Sequence, residues 1–254
     1  MVRGSDMAIA SVIRQGINTV LRPLGVQMIR ARTTDRAIQA FLPARQTIAA
    51  AKRAGLSVGD YLDQYSAEPQ VTAAAVQALL QMSALGNEVD RVCEIGPGSG
   101  RYAEKIIEVL RPSAYEIYET ASDWLPYLRR LPNLVEHPAD GHTLSATATS
   151  SVDLVQAHKL FVYIPFVTTV GYLEEMARVV RPGGIVAFDI VTEACLDEQA
   201  TKTWVAENAV IYMVTPRNWT VQLLDRWGLD LVGSHFEPLS GGRTELLVFR
   251  KRRD

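Results

Sequence analysis

Residues 91–102 read Arg91, Val92, Cys93, Glu94, Ile95, Gly96, Pro97, Gly98, Ser99, Gly100, Arg101, Tyr102. An apolar run breaks abruptly into three alternate glycines and resumes as Ala103 to Leu110 with helical periodicity, which is the pattern of a strand, a loop and a helix. Such a loop receives a ligand. Glycine leaves no Cβ between backbone and ligand and tolerates the positive φ of tight turns. The helix that follows offers unpaired N–H groups and the positive end of its dipole. The spacing is acidic-x-Gly-x-Gly-x-Gly. The dinucleotide fingerprint G-x-G-x-x-G would require a small residue at position 101, where Arg101 stands. Glu94, two places before the first glycine, is suited to hold a cationic amine.

Working outward, Tyr115 to Tyr118 form a second apolar and aromatic run, closed by Glu119. An acidic group about 20 residues past such a loop meets ribose hydroxyls, and this reading is weighed against a solvated surface carboxylate. Leu134 to Gly141 is read as a third strand ending in an Asp-Gly pair, Asp140 and Gly141, which also suits an ordinary turn. Ser151 to Ala157 make a fourth strand, with His158 and Lys159 just beyond the carboxyl end, where ligands bind in such sheets. A helix over 168–180, the turn Arg181, Pro182, Gly183, Gly184 and a fifth strand over 185–191 follow. Strands over 229–236 and 244–250, separated by Pro238 to Gly242, form a closing hairpin.

The loop motif, the Arg-Pro-Gly-Gly turn and the closing hairpin together resemble the class I S-adenosylmethionine-dependent methyltransferases, and the resemblance runs from Arg91 to the C-terminus. It implies an α/β fold, a Rossmann-like seven-stranded, mostly parallel sheet with an antiparallel last strand. It implies S-adenosylmethionine as cofactor, bound by Glu94, Gly96, Pro97, Gly98, Gly100, Glu119, Asp140, Gly141, Ala157 and His158, with the glycine loop against the methionine part and Asp140 at the adenine amine.

Composition fits one large core, or one core with a small appendage: 254 residues, 48% hydrophobic. A net charge of -2 gives no general attraction to nucleic acid. No apolar run reaches the ~20 residues of a membrane span, and a signal-peptide pattern is lacking, so a cytoplasmic location is expected. The two cysteines, Cys93 and Cys195, support neither a disulfide framework nor a cysteine zinc site. Cys93 reads as a small core residue.

Residues 1–88 lie outside the cofactor pattern and read as helical, a cap preceding the methyltransferase domain of 89–254. Ile9, Val12, Ile13, Ile17, Val20, Leu21 and Leu24 recur at helical spacing in a stretch rich in arginine. The stripe is read as packing on the catalytic domain or on a second subunit, as in a homodimer, ahead of lying on an anionic membrane surface. Pro43 starts a helix that Gly55 ends. Ser57 and Asp60 form a capping box for the next, and Thr72 caps a third, running to Met82. Tyr61 and Tyr65 face either the pocket or the core.

A hydroxyl acceptor needs a base whose pKa lies near the working pH, and histidine is the side chain that meets this unperturbed. His158 is the best placed, with Asp189 next and Glu193 behind it. The run Gln156, Ala157, His158, Lys159 lacks the Asn-Pro-Pro-Tyr or Asp-Pro-Pro-Tyr signature of many amino-methylating enzymes. The acids after strand five lack the arrangement of metal-dependent O-methyltransferases, so no metal is expected. The phrases Asn18 to Gly25 and Phe161 to Phe166 resemble bacterial methyltransferases encoded with surface-polysaccharide or glycolipid enzymes, which points to a sugar or other small hydroxyl acceptor. The rivals are a non-catalytic S-adenosylmethionine-binding or scaffolding protein and a nicotinamide-dependent oxidoreductase, the latter weakened by Arg101.

Overall fold

The computed structural model describes residues 43–65, 69–86, 88–206 and 212–253. The basic helix expected over the first forty residues lies outside them. Seven strands form one sheet: β1 (Arg91–Ile95), β2 (Ala114–Tyr118), β3 (Leu134–His137), β4 (Val152–Ala157), β5 (Val180–Ile190), β6 (Leu229–Leu239) and β7 (Gly242–Lys251), in the order β3-β2-β1-β4-β5-β7-β6. β3, β2, β1, β4 and β5 pair in parallel, and β7 runs antiparallel to both β5 and β6. This is the Rossmann-like sheet with an antiparallel last strand that the sequence implies. The order reverses between β1 and β4, so the crevice at their carboxyl ends is the place where an open α/β sheet takes a ligand.

The central strands β1, β2, β4, β5 and β7 are buried on both faces along most of their length, the edge strands β3 and β6 are partly exposed, and alternate residues feed two cores. Val92, Tyr115, Ile117, Leu154, Ala187 and Leu246 join the core on one face, together with helices α1 (Ala44–Ala54), α2 (Val58–Tyr65), α3 (Val71–Ser83) and α4 (Arg101–Leu110). Cys93, Ile95, Val155, Phe188 and Leu247 point the other way, towards α6 (Phe166–Val179) and α8 (Arg217–Arg226), while α5 (Leu125–Leu128) and α7 (Glu198–Ala206) are shorter covers. The helices before β1 thus share one apolar cluster with the sheet.

Local chemistry explains most element ends. Gly55 closes α1 in the left-handed region. The Ser57 hydroxyl accepts the Asp60 N–H at 3.0 Å and donates to the Asp60 carboxylate, giving the expected capping box. Elsewhere tertiary partners prevail. Thr72 does not cap α3, which starts one residue earlier; instead the Asp63 carboxylate accepts both the Thr72 N–H, at 3.1 Å, and its hydroxyl, at 2.6 Å. The third strand stops at His137, short of the expected Asp140. The Arg-Pro-Gly-Gly turn lies inside β5: Val152 pairs with Val180 and Leu154 with Ile185, so residues 181–184 bulge from the ladder. The closing hairpin is tighter than expected, Leu239 pairing with Gly242 across Ser240 and Gly241.

Candidate active site

β1 delivers Glu94 to the crevice on the same face as Tyr115 of β2 and Gln156 of β4. Glu94 pairs with Gln156 in register, and the Tyr115 hydroxyl donates to Glu94 Oε2 at 2.6 Å while accepting from Gln156 Nε2 at 2.9 Å. Glu94 is 1% exposed. Burial, together with the charge of nearby Glu119, pushes its carboxyl up to about 7. Among the described residues no cation pairs with it, although a buried carboxylate is costly without one.

Beyond Glu94 the chain turns through the glycine loop. The Gly96 N–H continues the ladder to the Tyr118 carbonyl at 2.8 Å, and Pro97 is buried. Gly98 has φ +52 and open space where a side chain would begin, so the loop presents bare backbone to the crevice. At Gly100, φ +73, a Cβ would stand 2.7 Å from Leu128 Cδ2, so this position must lack one for α5 to pack on the loop. Glu119, past β2, accepts the Gly98 N–H and the Ala121 N–H, each at 2.6 Å, and burial raises its pKa. It therefore shapes the loop as well as facing the crevice. These groups fit an S-adenosylmethionine molecule: an uncompensated buried carboxylate suited to an ammonium, an open backbone cradle, and a second carboxylate past the end of β2 suited to hydroxyl groups.

Ala157 and His158 stand beside this loop, at the carboxyl end of β4. The His158 ring stacks on Tyr102 of α4, with centroids 4.1 Å apart and planes within 4°. Both its nitrogens lack a hydrogen-bond partner among the described residues, and burial, with the charges of Lys159 and Arg101 adding to it, pulls its pKa down to about 4. That keeps it neutral and makes it a weaker base than a free histidine. Asp189, its expected companion, is bound elsewhere: its Oδ1 accepts the Lys159 N–H at 2.5 Å and its Oδ2 lies 3.1 Å from Lys159 Nζ. Burial raises the Asp189 carboxyl most, but the Lys159 ammonium together with the Lys159 N–H and the Thr244 hydroxyl holds it below the usual range.

Asp140 and Gly141 lie past β3. Asp140 is exposed, and it accepts the N–H groups of His142 and Thr143, each at 2.7 Å, and the Thr143 hydroxyl, also at 2.7 Å, bonds that lower its pKa to about 2. This is the Asx turn weighed in the sequence. Glu193 is exposed and accepts the Arg217 N–H, whereas His142 and His235 are exposed and His137 bonds Glu116 at 2.9 Å, so none of these three histidines enters the crevice.

Sequence reasoning placed Lys159 at this edge without giving it a role, and missed Glu237 and Tyr102. Lys159 holds a left-handed backbone, φ +53, and its ammonium lies 3.0 Å from Glu237 Oε2 and donates to the Thr244 hydroxyl at 2.5 Å. Glu237 is 1% exposed, and burial and the charge of Asp189 raise its pKa despite the lysine. Tyr102 keeps its hydroxyl buried and without a hydrogen-bond partner among the described residues. The available signal was topological: a hairpin of β6 and β7 beside β5 brings an acid near its turn back to the carboxyl edge.

Arg101 is a strut. Its Nη1 lies 3.1 Å from Asp63 Oδ1, and its Cβ packs under Gly59 of α2, so the residue that breaks the dinucleotide fingerprint ties the cap to the loop. Asp63→Ala should strip three hydrogen bonds from one buried carboxylate, costing roughly 1–3 kcal/mol. Hydrogen exchange should accelerate in α2 and the first turn of α3 while β1, β4 and β5 keep their protection; equal acceleration everywhere would refute a local strut.

Sheet order, glycine loop and paired carboxylates define a class I S-adenosylmethionine-dependent methyltransferase. Residues 67–233 match the family described as methyltransferase domain, and the chain belongs to that family. Among curated proteins no sequence matches. Similar solved structures include the N-methyltransferase NodS from Bradyrhizobium japonicum in complex with S-adenosyl-L-homocysteine, with 16% identity, 72% of this chain and 88% of that chain covered, and a TM-score of 0.53. An O-methyltransferase family protein from Burkholderia thailandensis has 14% identity, covering 84% of this chain and 64% of that chain at a TM-score of 0.55. The cyclase SpnF has 12% identity over 71% of this chain and 81% of that chain, TM-score 0.54. At such identities these likenesses speak for the fold alone, and a fold hosts several chemistries. Among the described residues no helix is long and apolar enough to cross a membrane.

Proposed function

We propose that the protein methylates a hydroxyl group on a sugar or another small acceptor. The observation that carries this reading is the polar cluster at the carboxyl ends of β4, β5 and β6. Lys159, Asp189 and Glu237 are ion-paired there, beside the unpartnered His158 nitrogens and Tyr102 hydroxyl. A polyhydroxylated acceptor satisfies donors and acceptors of both kinds, which an apolar acceptor leaves bare. Tyr163, Tyr212 and Trp204 meet in succession nearby as tilted pairs, with centroids 5.8 and 5.0 Å apart, and offer an aromatic wall for a sugar ring. Bound S-adenosylmethionine supplies an activated methyl group. Glu94, the loop from Gly96 to Gly100, Glu119 and Ala157 hold it, with Asp140 and Gly141 at the adenine end once the turn yields a hydrogen bond. His158 lines the wall between donor and acceptor, and Asp189 orients the acceptor through Lys159.

The resemblance of Asn18 to Gly25 and Phe161 to Phe166 to bacterial surface-polysaccharide enzymes supports an acceptor that is an oligosaccharide or lipid-linked glycan, met in the cytoplasm. In this reading residues 1–88 cap the domain of 89–254 and contact a second subunit or the membrane surface. The test is methyl transfer from radiolabelled S-adenosylmethionine to a panel of sugars, glycosides and primary amines. Label on sugar oxygen is expected. Label on amines alone would overturn the reading, and full cofactor binding without transfer to any acceptor would favour the second reading, a cofactor-binding protein that performs no methylation. That second reading draws on the cyclase that shares this fold.

A further inference from the structure

We propose that Glu237 is the residue that takes the proton from the acceptor, held in position by Lys159 and Asp189. The proposal deepens the hydroxyl-acceptor reading and rests on it for the identity of that proton. Three features carry it. First, the cluster sits one aromatic ring from the cofactor loop. Tyr102 occupies the first turn of α4, two residues after Gly100, and the charges of Glu237, Asp189 and Lys159 all act on its hydroxyl, which has no hydrogen-bond partner among the described residues. Second, the charges do not balance. One ammonium serves two buried carboxylates, and Asp189 takes the larger share because it also receives the Lys159 N–H. Glu237 Oε1 has no hydrogen-bond partner among the described residues. Third, the two expected alternatives are poorly equipped: His158 is a weak base at its pKa of about 4, and Asp189 is already neutralised by its lysine. Glu237, by contrast, has its carboxyl raised towards the range where a proton acceptor works best.

In the reaction the acceptor oxygen passes its proton to the Glu237 carboxylate and forms the new bond to the methyl carbon. The electron pair of the broken carbon–sulfur bond stays on sulfur, so atoms and charge balance without another reactant. The Lys159 ammonium keeps the carboxylate oriented, and after the product leaves the proton passes from Glu237 to water while the lysine charge favours the ionised form.

The test needs no identified acceptor. Sinefungin carries an ammonium-bearing carbon where S-adenosylmethionine carries its sulfonium methyl, so it places a positive charge at the transfer position, whereas S-adenosylhomocysteine places none. Contacts made by the rest of the molecule cancel in the ratio of the two affinities, measured by calorimetry on the full chain. A facing carboxylate should favour sinefungin, and Glu237→Gln should lower that preference about tenfold while S-adenosylhomocysteine binds as before. An unchanged ratio in Glu237→Gln would overturn the proposal, as would a ratio that collapses in His158→Asn instead.

If Glu237→Gln does not fold, the wild-type ratio decides. Glu237 faces Lys159, Asp189, Arg101 and Tyr102. Burial raises the Glu237 carboxyl above the usual carboxylate range, so the ratio should rise with pH as that group ionises. A flat ratio would overturn the assignment. The acceptor screen stands apart: if sugars are not methylated but the ratio behaves as expected, the hydroxyl reading fails while the placement of Glu237 facing the transfer position holds.

Discussion

Lys159→Met should destabilise the protein by about 3–5 kcal/mol, the usual cost of removing one partner from a buried ion pair. At this chain length that corresponds to a fall of roughly 6–20 °C in melting temperature. The physical cause is the pair of carboxylates left behind. Asp189 and Glu237 are 0% and 1% exposed, and the lysine ammonium lies 3.1 and 3.0 Å from them. Methionine fills similar volume, so a cavity contributes little. Without the ammonium the Asp189 carboxyl rises above its unfolded value and that of Glu237, already raised, moves further up, so both bind protons more readily in the folded chain. Their stabilising effect is then present below the unfolded carboxylate range and lost as pH rises, making the deficit larger at about pH 8 than at about pH 5. In the parent protein Asp189 behaves oppositely. Its lowered carboxyl contributes stability above the unfolded value, lost as pH falls through the folded one. Chemical denaturation of both proteins at the two pH values checks this, and a deficit below about 1 kcal/mol at both would show that water already screens the cluster.

What the sequence disclosed and what it hid follow from the range of the interactions. The glycine loop was legible because its signal is local: an apolar strand, three glycines and a helix within twenty residues allow few other structures. The closing hairpin was legible for the same reason, with Gly241 and Gly242 between two apolar runs. Element ends went astray where a distant partner outbid a local one. Thr72 looked like a cap until Asp63, nine residues earlier, supplied the carboxylate. Asp140 went the other way, since two backbone N–H groups within three residues were near enough to claim it. Arg101 was informative in the sequence only as a missing glycine; its ion pair with Asp63 gives it a role that no spacing rule contains. The cluster of Lys159, Asp189 and Glu237 was hidden because its members come from three strand ends. Lys159 and Thr244, 85 residues apart, meet only once β7 has inserted between β5 and β6.

Glu94→Gln should separate binding from stability, weakening S-adenosylmethionine while strengthening the empty protein. Burial raises the Glu94 carboxyl to about 7, so the folded chain binds its proton more tightly than the unfolded chain does. Stability contributed by this group is therefore present below about 4.5, falls as pH rises to about 7, and is constant above. The deficit amounts to roughly 3 kcal/mol for a fully buried group shifted this far, and the amide avoids it. Tyr115 still finds an oxygen at the same place to receive its hydroxyl proton. The cofactor reverses the balance, because its ammonium favours the ionised carboxylate. Affinity of the parent protein should accordingly rise with pH up to about 7, by at most tenfold per unit, and level off above. In Glu94→Gln the slope should vanish and the affinity at about pH 8 fall by roughly 30-fold or more, the cost of truncating a buried charged partner. Calorimetric titrations across this range, paired with melting curves of the empty proteins, give both quantities from the same samples. A parent affinity flat from about pH 5.5 to 8 would mean that Glu94 does not meet the ammonium. A melting temperature lowered in the variant would mean instead that the carboxylate is a structural partner of Tyr115 and Gln156, and that the loop draws its charge recognition from Glu119.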